Sequence, residues 1–452
     1  MTRTSSARTP SLCPLAASLA IAFTVLANIE ADARPRPGAP VVPSGALLVT
    51  NCDDGGPGSL REAYFNAVNG DTIDLTQLAC STISLTTGNA LTNSPATHNV
   101  TLIGPGSDHL TIDGALTNRV LVHNGAGDLH LYGLSIAHGS YTGTYGGGCI
   151  YSYGGVHTDD VTISHCSLFS TGNYRAYGGA IYLRGRAYLS DTRITASTAQ
   201  APNTYGGGGA VYAESVRIIG STISGNTAVS GPNKYSYGGG VLAMTDADIR
   251  YSTIADNTAD VGGGLRLVGS EAALTRLIID STISGNHAGR GAGGIYAGYT
   301  PSLLRISNST ITANSSADLD AGAGAYLFSP SNIVSSIVAG NTGPGGASDI
   351  AALSLTGSNN IIIESTVPLP PDTIQLDPLL GPLQDNGGLT PTHAVLAGSP
   401  AIDQGLNSLG LSFDQRAFDE VGVYEREIGG GTDIGAFEFG APDRIFTDGF
   451  EA

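Results

Sequence analysis

A carboxylate set between two guanidiniums is the arrangement in this sequence closest to a reactive centre. Asp248 and Arg250 alternate along one predicted strand, and Arg217 falls at Asp248's position one repeat earlier. Such a cluster can bind an acidic sugar and draw a proton from it, with or without calcium. It can equally be a salt bridge between successive coils on a solvated face. The second reading is preferred, because the other repeats carry no matching acid, base or metal ligands. Asp159-Asp160 and the pair Asp318 and Asp320 are isolated, and the glycine clusters precede no helix N-terminus that could cradle a phosphate. No catalytic residue, cofactor or metal ligand is therefore assigned.

Tyrosine is the second chemical signal. Fourteen of the 19 lie between Tyr132 and Tyr251, and Tyr141, Tyr145, Tyr174, Tyr177, Tyr205, Tyr235 and Tyr237 fall in Gly/Asn-rich loops just before each repeat. Loops leaving at corresponding points collect along one edge, and a Tyr-rich adaptable surface suits a glycan or a surface protein. The competing reading is that the rings pack over neighbouring loops. Cysteine chemistry is expected to be oxidative: once a leader carrying Cys13 is removed, four cysteines allow three pairings, and Cys52 with Cys80 and Cys149 with Cys166 is the expected one, each pair within about one repeat of sequence. A metal site is the alternative, and no C-x-x-C or histidine at ligand spacing supports it.

These residues are positioned by a short pattern that recurs eight times between Asp128 and Asn341. Its anchors are Ile136, Leu168, Ile194, Ile223, Ile254, Ile283, Ile311 and Val338, separated by 32, 26, 29, 31, 29, 28 and 27 residues. Five residues before each stands a second apolar column, Leu131, Ile163, Leu189, Ile218, Ile249, Ile278, Ile306 and Ile333, with no polar member. Three residues after the last five anchors come Asn226, Asn257, Asn286, Asn314 and Asn341, where earlier copies have Gly139, Thr171 and Ser197. Between anchors the residues are strand and turn formers, lysine occurs once in the whole chain, and polarity alternates with period two around Ile218 and Ile249. The class is all-β: a right-handed parallel β-helix whose stacked asparagines form a turn ladder. Thr222/Ser224, Thr282/Ser284 and Thr310/Thr312 flank the anchors and should point outward as hydroxyl rows.

The chain's 452 residues include 64 glycines and carry a formal charge of −18, which opposes nucleic acid and anionic membrane surfaces as partners. Residues 1–33 read as a secretory signal with cleavage near Ala33, and the apolar run is too short to span a membrane comfortably, so no transmembrane span is expected in the mature chain. Residues 34–46 form a Pro-rich linker, and residues 47–127 hold the N-terminal cap and first coils. There Ser59-Leu60-Arg61-Glu62 is a capping box, followed by Ala63, Phe65 and Val68, which predicts a short amphipathic helix over the first coil. The repeat β-helix covers 128–343, C-terminal coils and a cap cover 344–440, and 441–452 is a tail.

Val49-Thr50-Asn51-Cys52 with Gly58-Ser59-Leu60-Arg61-Glu62-Ala63 resembles the CSLREA-type N-terminal region of bacterial exported β-helix proteins. Gly178-Gly179-Ala180-Ile181 is similar to polymorphic outer-membrane protein repeats. Asp377-Pro378-Leu379-Leu380, Asp385-Asn386-Gly387-Gly388-Leu389-Thr390-Pro391, Asp414-Gln415-Arg416 and Asp433-Ile434-Gly435-Ala436-Phe437-Glu438 resemble a choice-of-anchor Q domain, with Ala417 where glycine is common. The resemblance implies an exported β-helix protein and no particular enzyme. The expected role is adhesion, ligand binding or envelope architecture at the cell surface or outside it. A lyase or hydrolase of an acidic glycan and a purely structural stalk are the alternatives.

Overall fold

The computed structural model describes residues 40–441, apart from 94–97, 145, 272, 320–321 and 418–423. The expected signal peptide, residues 34–39 of the linker, Tyr145, Asp320 and the tail beyond Ala441 lie outside the described residues. Among those described, stacked strands form a 21-stranded, a ten-stranded and a nine-stranded sheet along one β-solenoid, parallel except for the pair Thr342–Gly343 and Gly346–Ala347 that closes the smallest. Among the described residues no helix is long and apolar enough to cross a membrane.

The largest sheet bends along one line of left-handed residues. Gly133, Asp160, Asp191, Gly220, Tyr251, Asp280, Asn308, Ser335 and Asn359 stand there with φ between 39° and 59°. One such residue turns the chain while leaving the strands on both sides extended. Gly, Asp and Asn tolerate it at least cost, and Tyr251 is the least expected occupant.

Pairing register places both apolar columns inside, with one correction. Ile163, not Leu168, sits between Ile136 and Ile194 in the anchor column, and Thr158 sits between Leu131 and Leu189 in the second. Leu168 belongs to the next face, opposite Tyr141 and Ala199. The second column therefore does contain a polar member, and it is tolerated because Thr158 Oγ1 lies 2.7 Å from Thr192 Oγ1, which itself donates to Ser190 O at 2.7 Å. The same shift puts Cys166, not Thr171, in the asparagine column.

The asparagine ladder is continuous and fully buried. Asn226 Nδ2 donates to Asn257 Oδ1, Asn257 to Asn286, Asn286 to Asn314 and Asn314 to Asn341, all at 2.9–3.0 Å. Each amide also holds the backbone N–H of the preceding coil, so one side chain serves both row and turn. The row ends on a carboxylate: Asn341 Nδ2 donates to Asp349 Oδ1 at 2.9 Å, and Glu364 N to Asp349 Oδ2 at 3.1 Å. Burial raises the Asp349 pKa, against those hydrogen bonds.

Both disulfides join as read, with Cα separations of 6.4 Å for Cys52–Cys80 and 5.4 Å for Cys149–Cys166. Ser59 caps the helix Leu60–Asn66, its hydroxyl accepting from Glu62 N at 3.2 Å. A turn of 3.6 residues brings Leu60, Tyr64 and Ala67 onto the solenoid end, with Ala63 beside them. Phe65 and Val68, expected on the apolar face, point to solvent at 72% and 56% exposure.

The C-terminal segment finishes the last coil near Ile374 and then runs back along the flank. The outward hydroxyl rows are what it docks on. Thr253 Oγ1 donates to Pro391 O at 2.6 Å, Thr282 Oγ1 to Gln415 Oε1 at 2.7 Å, and Ala436 N to Thr310 Oγ1 at 3.1 Å, while Ser284 Oγ meets His393 Nε2 at 2.8 Å. These hydroxyls point outward as expected, yet Thr282, Ser284 and Thr310 are buried. Leu409 and Leu411 cover Leu277 and Ile279 on the adjoining strands.

Candidate functional site

Where the flank segment stops, the outer face of the largest sheet stays open. Outward positions there form two columns two residues apart, because side chains alternate across a strand. The first reads His130, His157, Tyr188, Arg217 and Asp248 in successive coils. The second begins Tyr132 and Asp159. Together they wall a cleft of about 450 Å³ lined by Tyr132, His157, Asp159, Tyr188 and Arg217, with Pro40 of the N-terminal segment at its side.

The rings in the first column lie face to face, His130 on His157 at 4.5 Å and His157 on Tyr188 at 4.3 Å between centroids. Burial lowers the pKa of both histidines, so the neutral imidazoles are favoured; Asp128 opposes the shift in each. Burial raises the Tyr132 pKa, and the Asp159 carboxylate adds to it. The cleft thus offers aromatic surface, a phenol, a carboxylate, an imidazole and a guanidinium within one concavity, which is the mixture that recognises polyhydroxylated or acidic ligands.

The cluster foreseen around Asp248 exists as a salt bridge network. Arg250 Nε donates to Asp248 Oδ1 at 2.7 Å, and Arg217 Nε stands 3.8 Å from Asp248 Oδ2. Arg217 is its link to the cleft.

The loop tyrosines are dispersed. Tyr141 lies under the buried Arg119 guanidinium at 3.3 Å, Tyr177 stacks on Tyr212 at 4.7 Å, and Tyr205 stacks on Tyr237 at 6.3 Å. Tyr235 accepts a hydrogen bond from Arg290 Nη1 at 3.1 Å, and Tyr174 is the most exposed of the described loop tyrosines at 56%. Beneath runs a row that the loop pattern did not reveal, Tyr151, Tyr182 and Tyr212, stacked at 5.5 Å and 5.0 Å with nearly parallel planes. Rings stacked on one another present edges outward, so most of this tyrosine face is already used by the fold.

Sequence reading missed the histidines. Their signal was Asp128-Leu129-His130 and Val156-His157, one coil apart at alternating positions. In the structure Asp128, His130 and His157 bring ligand atoms within 4.8 Å of one another. No family model matches this chain, and neither the curated proteins nor the solved structures contain a match to it.

Proposed function

We propose that this chain is an exported, non-catalytic binding protein that holds a glycan in the cleft of Tyr132, His157, Asp159, Tyr188 and Arg217. The observation that carries the reading is the convergence of two tyrosines with a carboxylate and a guanidinium in one open concavity. Sugars are bound by stacking on aromatic faces and by planar, charged hydrogen-bonding groups at their hydroxyls and acids. Export is supported by the leader-like N-terminus, the two disulfides and the resemblance to exported β-helix proteins. Hydrolysis by paired carboxylates is less well served, since the cleft lining includes the single carboxylate Asp159.

A glycan array on the full chain tests the reading, alongside a lyase and hydrolase screen on acidic polysaccharides. Binding should fall at least about tenfold in Tyr188→Ala with Arg217→Gln, a loss on the scale of a binding hot spot. Binding that survives this pair but is lost when Tyr174, Tyr177, Tyr235 and Tyr237 are removed together moves the site to the loops. Turnover of a polysaccharide that Asp159→Asn abolishes makes the protein an enzyme instead.

A further inference from the structure

We propose that Asp128, His130 and His157 form a binding site for a divalent first-row transition ion, for which zinc is the fitting probe. Two imidazoles and a carboxylate are borderline donors that suit zinc, copper or nickel, whereas calcium and magnesium require oxygen cages. The donors come from two coils: Asp128 and His130 from one, His157 from the coil stacked on it. Parallel stacking repeats one position at every coil, so a histidine above a histidine arises simply from placing the residue twice in register.

Three details show a prepared set of donors. The Asp128 backbone N–H is fixed by Asn99 Oδ1 at 2.8 Å, and its Oδ1 accepts from Gly155 N at 2.9 Å, which leaves Oδ2 turned to the histidines. That oxygen lies 3.3 Å from His157 Nε2. A tetrahedral ion with bonds of about 2.0–2.1 Å sets its ligand atoms about 3.4 Å apart, so this pair already stands at ligand spacing. His157 Nε2 is shielded from solvent and makes no hydrogen bond of good geometry. His157 also walls the cleft, so an ion here would stand beside the cleft's contents and tie two coils together. The site does not depend on glycan recognition.

The test is calorimetric titration of the full, untagged chain with Zn2+, with the thermal midpoint followed in parallel. One ion per chain should bind in the micromolar range or tighter and raise the midpoint. His130→Phe and His157→Phe keep the stacked column while removing the donors, and Asp128→Asn keeps the acceptor for Gly155 N. Each should weaken Zn2+ at least about tenfold, with far-ultraviolet circular dichroism unchanged. His138→Phe, at the separate pair of His138 and Asp113, should leave binding as it was. The proposal is overturned if Zn2+ does not bind, if His157→Phe binds as the parent does, or if His138→Phe is the variant that loses the ion.

Discussion

Thr158 Oγ1 meets Thr192 Oγ1 of the next coil at 2.7 Å, a hydroxyl pair inside a column that is otherwise leucine and isoleucine from Leu131 to Ile333. The pair is satisfied because Thr192 passes its own proton to Ser190 O. The two hydroxyls are therefore unequal. Thr158→Val removes a donor and leaves Thr192 bonded, so stability should stay within about 1 kcal/mol. Thr192→Val leaves the Thr158 hydroxyl only the long contact to Tyr188 O at 3.5 Å and should cost about 1–3 kcal/mol. Denaturant melts of the two variants decide it, and equal losses would mean the proton runs the other way.

Asn286 stands mid-ladder, donating to Asn314 Oδ1 and to Ile254 O, and accepting from Asn257. Asn286→Ala orphans groups on both neighbouring coils, at about 1–3 kcal/mol for each that water does not reach. Amide exchange should accelerate at Asn257, whose N–H loses its acceptor Asn286 Oδ1, before it does at Ile218. Uniform exchange across the repeats would show that the ladder adds nothing local.

Gln415 locks the flank segment to the solenoid. Its amide nitrogen donates to Thr253 and Thr390 hydroxyls at 2.8 and 2.9 Å, and its oxygen accepts from Thr282. Gln415→Leu should release the segment, so brief proteolysis cuts beyond Ile374 while the repeat core persists. A variant as resistant as the parent would place the lock elsewhere, with the buried contact of Asp280 and Arg426, 3.3 Å apart, the next candidate.

Docking of that segment is predicted to weaken with alkalinity. Burial pushes the Glu438 and Asp280 carboxyls up to about 8 each, with Arg426 opposing. In the unfolded chain both titrate near about 4. Between those values the folded chain keeps protons that the unfolded chain has released, so stability falls as pH rises from about 4 to about 8 and levels off above. Glu438→Gln should flatten the fall in thermal midpoint. A slope unchanged by that substitution assigns the effect to other groups.

The repeat was legible because burial is enforced at one position in every coil, and an isoleucine column has few alternatives. The slip at Leu168 shows the limit. Ile163 and Leu168 are both apolar and five residues apart, and the true second-column position of their coil is the polar Thr158, so only hydrogen-bonded register separates them. The asparagine ladder was readable from recurrence alone. The docking of residues from Pro391 to Ala436 was not, since it joins hydroxyls to partners more than 100 positions away with no shared period. The cleft was hidden for a related reason: Tyr132, His157, Tyr188 and Arg217 are three residue types spread over four coils and two outward columns, and columns of unlike side chains leave no pattern.

A row of identical amides has no natural end, and the same bonding could in principle continue from one molecule into the next until a fibre grew. Asp349 closes that possibility. Its carboxylate receives the last amide of the row and has no N–H to hand onward, so a second copy placed against this end would find an acceptor facing its own acceptors. The amide row is thus ended by one atom's chemistry, an oxygen where each of the five asparagines before it has a nitrogen.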